Sequence, residues 1–351
     1  MIDPTVSDVD AGRGRSIERD ARSGLPLYAS YYGLHEAPFD LTPNPRFLYL
    51  TTRQREALSN LRYALSTAKG FTLILGDAGT GKTTLVRAAM AGIGDTPSRY
   101  VLVNNPTLGR QEFYEFLARE FGLSAGAASS KTRFLSELQD DVEARFAAGG
   151  LTGLIIDEAQ SMPHELLEEI RLLGNIETAT TKLLNIVLCG QPELAERLND
   201  TSLRQLKQRV ALRCELRPLT LGETASYISG RLRIAGGSPS EIFTRDAVVA
   251  IFNGSAGIPR TINVVCDNAL IGGFAAQVKP VSLGIVEDVC RDFDLVTTAV
   301  IAPDAAAGNA ATSPAVRPAA IESTTGAEPA GERPMFGSVA PPTKRRFSFF
   351  S

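Results

Sequence analysis

The chain has 351 residues, 44% of them hydrophobic and 21% charged, with a formal net charge of −3. At ~100–200 residues per domain this is enough for two or three domains with a real core, which excludes wholesale disorder. The near-neutral balance excludes a polybasic nucleic-acid binder, although a local basic surface is still allowed. No apolar run reaches the ~18–20 residues that a membrane helix needs, and the N-terminus has no apolar signal core. These readings disfavour a secreted enzyme and a membrane-spanning protein. His35, His164, Cys189, Cys214, Cys266 and Cys290 are scattered, without CxxC or HxxxH spacing. That pattern speaks against a zinc site, and unpaired cysteines fit a reducing compartment.

In chain order, residues 1–28 are polar and Gly/Pro-containing and are expected to form a flexible arm. Short runs rich in Val, Ile and Leu then recur: 71–75, 99–103, 154–156, 184–188 and 210–216. Such runs suit strands of a parallel sheet covered on both faces. Between them, Phe113–Phe121 and the set Phe134, Leu135, Leu138, Val142 and Phe146 repeat at three- and four-residue steps. That is the spacing of amphipathic helices. The alternation predicts an α/β core over 29–217. After Arg217 the strand signals fade, and segments near 221–235, 244–253, 260–277 and 283–293 predict a small all-α domain over 218–295. Residues 296–351 are dominated by Ala, Pro, Thr, Ser and Gly and are expected to form a disordered tail. The tail ends in the basic and aromatic run Lys344–Phe350, a solvated end or a docking motif.

The chemistry is concentrated in two places. Gly76-Asp77-Ala78-Gly79-Thr80-Gly81-Lys82-Thr83 matches G-x-x-x-x-G-K-[ST], between a predicted strand and a predicted helix. Its backbone N–H groups and the helix N-terminus make a nest for phosphate oxygens, and Thr84 continues into the helix. Lys82 is expected against the β- and γ-phosphates and the Thr83 hydroxyl on Mg²⁺. Downstream, Leu154-Ile155-Ile156 ends in Asp157-Glu158. An acid at the carboxyl end of a parallel strand lies where ligands bind. Asp157 is expected to hold Mg²⁺ and Glu158 to act as general base on water. The predicted reaction is hydrolysis of ATP to ADP and phosphate.

These motifs resemble the AAA+ ATPases, and within them the ExeA/GspA-type ATPases of bacterial general secretion. The stretches that carry the resemblance are Tyr31–Leu50 with its YGL…PF opening, Gly190-Gln191-Pro192-Glu193-Leu194, Leu203–Val210, and Gly257-Ile258-Pro259-Arg260. The resemblance implies a P-loop NTPase fold with a helical lid. It implies that Gln191 is sensor 1, that Arg209 or Arg204 is a finger donated to a neighbouring subunit, and that Arg260 is sensor 2. It places Pro38, Phe39 and Leu41 near an adenine, with plain core packing as the alternative. The helix 165–171 reads as a solvated charged face or as a relay of hydrolysis.

The implied assembly is a homo-oligomeric ring, a hexamer being one option, acting on a component of an envelope secretion or export machine. ExeA-type proteins continue into a membrane helix and a peptidoglycan-binding region, whereas an Ala/Pro-rich tail stands here. The expectation is therefore a cytoplasmic relative, with peripheral attachment at the inner membrane as an option. The alternative is a DNA-associated regulator of the TniB or origin-recognition type, with DNA the less favoured partner.

Overall fold

Each of the five apolar runs forms a strand: β1 (Phe71–Gly76), β2 (Arg99–Val103), β3 (Thr152–Ile156), β4 (Leu184–Gly190) and β5 (Val210–Leu216). In the computed structural model, which describes residues 25–295 apart from 43, 68, 93–96 and 105, they make one sheet of order β2-β3-β4-β1-β5. All four pairings are parallel. β1, β3 and β4 are buried along their whole length, as expected for strands covered on both faces. β5, at one edge, alternates, with Cys214 and Leu216 buried while Ala211, Arg213 and Glu215 are exposed.

The covering helices are α1 (Thr52–Ser66), α2 (Lys82–Met90), α3 (Arg110–Phe121), α4 (Lys131–Ala147), α5 (His164–Leu173), α6 (Pro192–Arg197) and α7 (Arg204–Gln208). α1 starts on a capping box in which the Thr51 hydroxyl and the Gln54 side chain exchange backbone hydrogen bonds. One face of the sheet is packed by α3, α4 and α5 through Phe113, Leu117, Phe134, Leu138, Leu166 and Ile170. The other face is packed by α1 and α2 through Leu58, Leu61, Leu65, Leu85 and Val86. The α4 stripe ends earlier than its spacing suggests. Phe134, Leu138 and Val142 are fully buried, but Phe146, in the last turn, is exposed.

The charged helix α5 also differs from a solvated face, because Glu169 is buried. It takes a hydrogen bond from Tyr114 Oη (2.6 Å) and ion pairs with Lys131 (2.6 Å) and Arg110 (3.3 Å). This buried carboxylate is compensated by partners from α3 and α4.

Four longer helices follow the sheet: α8 (Leu221–Ile234), α9 (Arg245–Ser255), α10 (Pro259–Ala275) and α11 (Leu283–Asp292), with a short helical turn at Pro239–Ile242 between α8 and α9. Their shared core includes Tyr28, Tyr32, Leu34, Phe39 and Phe47 from the N-terminal segment. Here the structure corrects the expected arm over 1–28. Tyr28 is buried and donates its hydroxyl proton to Asp267 on α10. Its ring offers more apolar area than a polar arm would carry, and the helices supply a face to bury it. Residues 1–24 and 296–351, with the rest of the expected arm, the expected tail and the Lys344–Phe350 run, lie outside the described residues. The described residues fall within one compact unit. No helix among them is long and apolar enough to cross a membrane.

Candidate active site

β1 lies between β4 and β5, so the chain leaves the carboxyl ends of β1, β3 and β4 side by side. The register places Leu75 beside Gly190 and Ile156 beside Leu188. A crevice at such a switch in strand order is where α/β sheets bind ligands. Here it is a cleft of about 390 Å³. At one end it is lined by Gly79 to Leu85, Glu158 and Arg260, and at the other by Leu41, Phe47, Tyr49, Tyr227, Arg231 and Asn263.

The Gly76–Thr83 loop turns from β1 into α2 as its spacing predicts, with Asp77 and Ala78 exposed at its crest and Thr84 lining the cleft. Gly79 adopts φ +81°, and a Cβ there would lie 2.8 Å from Arg260 Cβ. Only glycine meets both the left-handed backbone and the close approach. The Gly79 carbonyl accepts the Arg260 N–H at 3.3 Å, so the first turn of α10 stands directly on the loop. Pro259 occupies the start of α10, where its missing N–H costs nothing. Lys82 is buried, and its ammonium donates to the carbonyls of Gly76 (2.8 Å) and Asp77 (3.0 Å).

The acid pair stands beside this loop. The Thr83 hydroxyl donates to Asp157 Oδ2 at 2.5 Å across the end of β4. Asp157 Oδ1 accepts the Glu158 N–H at 3.0 Å. Glu158 has φ 53° and ψ 37°, a left-handed conformation that costs a non-glycine residue about 1 kcal/mol. That turn takes the chain off β3 with the Glu158 side chain lining the cleft.

Gln191 reaches the same carboxylate, its Nε2 lying 3.3 Å from Glu158 Oε2. Sequence reasoning missed a second amide. Gln160 Nε2 donates to Glu158 Oε2 at 2.6 Å, and Gln160 Oε1 accepts the Gln191 N–H at 3.1 Å. The only signal for it was a polar side chain two residues past the acid pair, which many loops carry.

The donor set suits a phosphate chain with a hard cation. A hydroxyl and a carboxylate already in contact leave the other ligand positions to phosphate and water, the usual pattern for Mg²⁺. Among the described residues there is no cluster of three or more His, Cys, Asp or Glu side chains that would cage a metal by itself. The four cysteines are free and buried. His35 and His164 are exposed, as structural or surface residues would be.

Residues 65–198 match an AAA domain family. Over 250 residues the chain is 40% identical to general secretion pathway protein A of Aeromonas hydrophila, covering 71% of this chain and 45% of that protein. The chain carries an AAA domain and is similar to general secretion pathway protein A. It spans less than half the length of that relative.

Solved structures show the same fold. The Aeropyrum pernix ORC2 protein in its ADPNP–ADP complexes superposes with a TM-score of 0.56 at 16% identity, over 73% of this chain and 70% of that one. The ORC of Drosophila bound to DNA gives 0.54 at 19%, over 79% and 73%. A Walker-type ATPase of Pyrococcus abyssi gives 0.53 at 18%, over 73% and 76%.

Of the two arginines expected as fingers, Arg209 and Arg204, neither lines the cleft. Arg209 immediately precedes β5, whose Val210 pairs with Phe71 at the start of β1, while the phosphate loop leaves after Gly76. At ~3.3 Å per residue the length of β1 separates them by roughly 16–20 Å. Arg209 Nη1 donates to the Arg171 carbonyl at the end of α5 (2.8 Å). Arg204 opens α7 and is exposed. Of the residues expected near an adenine, Leu41 lines the cleft, whereas Phe39 is buried in the helical core with its ring edge-on to Phe243.

Proposed function

We propose that this AAA+ ATPase binds ATP with Mg²⁺, hydrolyses it, and uses the cycle to drive assembly or regulation of a bacterial envelope secretion or export machine. The observation that carries the hydrolytic part is the Thr83–Asp157 contact beside the buried Lys82, with Glu158 lining the same cleft. In this reading 29–217 is the nucleotide-binding core and 218–295 the lid. The loop from Gly76 to Thr84 wraps the phosphates, and Lys82 exchanges its loop carbonyls for β- and γ-oxygens. Thr83 and Asp157 would hold Mg²⁺, which would supply positive charge to neutralise the phosphates. Glu158 takes a proton from water as the water oxygen bonds to the γ-phosphorus and the bond to the β–γ bridging oxygen breaks. Gln191 orients this centre, and Arg260, seated on the loop, reports its occupancy to the lid.

Arg209 is too distant from its own loop to act there, which supports donation to a neighbour in a homo-oligomeric ring such as a hexamer. Arg209 is favoured over Arg204 as the finger. The 40% identity to general secretion pathway protein A supports the envelope client, and ATP as fuel supports work on the cytoplasmic side, including at the inner-membrane surface. Phosphate release tests the chemistry. Turnover should need Mg²⁺ and stop with EDTA, and Glu158→Gln should keep ATP binding while losing at least ~100-fold in kcat. Absence of turnover in the assembled wild type sinks the reading. Arg209→Ala should bind ATP and hydrolyse it poorly, and mixing it with Lys82→Ala subunits should restore part of the activity. Co-purification of an export component with ATP-trapped Glu158→Gln tests the client. Recovery of DNA alone, lost steeply with salt, would favour the DNA-associated alternative.

A further inference from the structure

Gln160 sits where three parts of the site meet. Its Nε2 donates to Glu158 Oε2 (2.6 Å), its Oε1 accepts from the Gln191 N–H (3.1 Å), and its carbonyl accepts from the Arg197 guanidinium on α6. The side chain therefore ties the acid-pair turn to the end of β4, and the backbone of the same residue ties it to α6. Gly190 is what lets it in, because a Cβ there would stand 3.0 Å from Gln160 Oε1 and 2.6 Å from Leu194 Cδ2. The opposed use of both amide atoms also fixes which end of the amide faces Glu158, since only Nε2 can donate to the carboxylate and only Oε1 can accept an N–H.

Both amides, Gln160 and Gln191, converge on the same carboxylate oxygen. Among the described residues no hydrogen bond goes to the other oxygen, Oε1. A carboxylate held on one oxygen by a 2.6 Å charge-assisted bond has lost most of its χ freedom. Orientation of that kind matters for proton transfer, where a misplacement of about 1 Å costs on the order of 100-fold.

We propose that Gln160 is a positioning residue for Glu158: its amide pins Oε2 against the end of β4 and leaves Oε1 to take the proton of the attacking water. The proposal rests on the ATPase reading above. Because Gln160 receives the Gln191 backbone proton as well, the pinned geometry is tied to the strand end that carries Gln191.

Two substitutions separate this role from plain loop anchoring. Gln160→Met keeps the side-chain length and removes both bonds. Gln160→Glu keeps an acceptor for the Gln191 N–H and removes the donor to Glu158. With wild-type turnover established, both variants should lose roughly 10- to 100-fold in kcat with ATP KM within about 2-fold. Amide hydrogen exchange in the nucleotide-free protein should show the Gln191 N–H deprotected in Gln160→Met and still protected in Gln160→Glu. Melting temperatures confirm that each variant is folded. Wild-type kcat in Gln160→Glu with a protected Gln191 amide overturns the proposal, since anchoring alone would then suffice. Loss of kcat together with ATP affinity and melting temperature in both variants overturns it as well, as a folding defect. A wild type without turnover instead defeats the ATPase reading itself.

Discussion

The two ends of the cleft are built differently. The phosphate end is made mainly from two short contiguous stretches, 76–84 and 157–158, each set by a strand end and the turn that follows it, with Arg260 of α10 resting on the first. The opposite end is assembled from Leu41, Phe47 and Tyr49 of the N-terminal segment and from Tyr227, Arg231 and Asn263 on α8 and α10. Its centre is Arg231, whose guanidinium lies over the rings of Tyr227 (5.0 Å) and Phe47 (5.1 Å) and donates to the Pro38 carbonyl at 2.7 Å. Its Nε is buried with no hydrogen-bond partner, and burial lowers its pKa below the ordinary arginine value. Tyr227 donates to Asn263 at 2.8 Å in the same wall. The difference is that the first end owes its geometry to local backbone, whereas the second exists only because the N-terminal segment is packed into the helical core.

That contrast predicts a graded set of effects. The largest is at the phosphate end. Lys82→Ala should weaken ATP binding by at least ~100-fold, about 3 kcal/mol, with little change in melting temperature. A parallel fall in stability would mean that the loop is not locally determined. Gly79→Ala should come next, because a Cβ would collide with Arg260 at a left-handed position. A penalty of about 1–3 kcal/mol should appear both as weaker nucleotide binding and as loosening of α10, read by hydrogen exchange of its first turn.

At the other end the order should reverse. Arg231→Met keeps much of the packing but loses the Pro38 bond and two cation–π contacts. About 1–3 kcal/mol of stability should be lost, with denaturation showing the N-terminal segment released from α8. An unchanged unfolding midpoint would show that Arg231 does not join the two.

The smallest effect should be outside the cleft. Burial raises the Glu169 pKa, but the hydrogen bonds of Lys131 and Tyr114 and the charges of Lys131 and Arg110 outweigh it and hold the carboxyl below its usual range. A depressed folded pKa stabilises the protein above the unfolded pKa, and that stability is lost as pH falls through the folded value. Glu169→Gln should therefore cost about 1–2 kcal/mol near neutrality. The gap from wild type should close in acid, with kcat unchanged.

The charge pattern of α5 could not reveal Glu169. Glu165, Glu168 and Glu169 look alike in the sequence, and only the approach of α3 and α4 selects one of them for burial. Arg231 and Gln160 were hidden for the same reason. An arginine on a helix and a glutamine in a loop carry no local signal, and their partners Pro38, Phe47 and Gln191 lie far off in the chain. Leu41 and Phe39 stood close together in one expectation, yet one lines the cleft and the other is buried in the helical core.

The sequence by itself determined the five strands, the phosphate loop and the acid pair, and the AAA+ resemblance drawn from them. Those features depend on contiguous residues, whose glycines, apolar runs and strand-end acids act through the local backbone. The tertiary structure alone decided the sheet order that sets Thr83 against Asp157. It also decided the docking of Arg260 on Gly79, the seating of Gln160 against Gln191, and the wall built around Arg231. Each of these needs segments far apart in the chain to be brought into van der Waals contact, and burial of the shared cores does that.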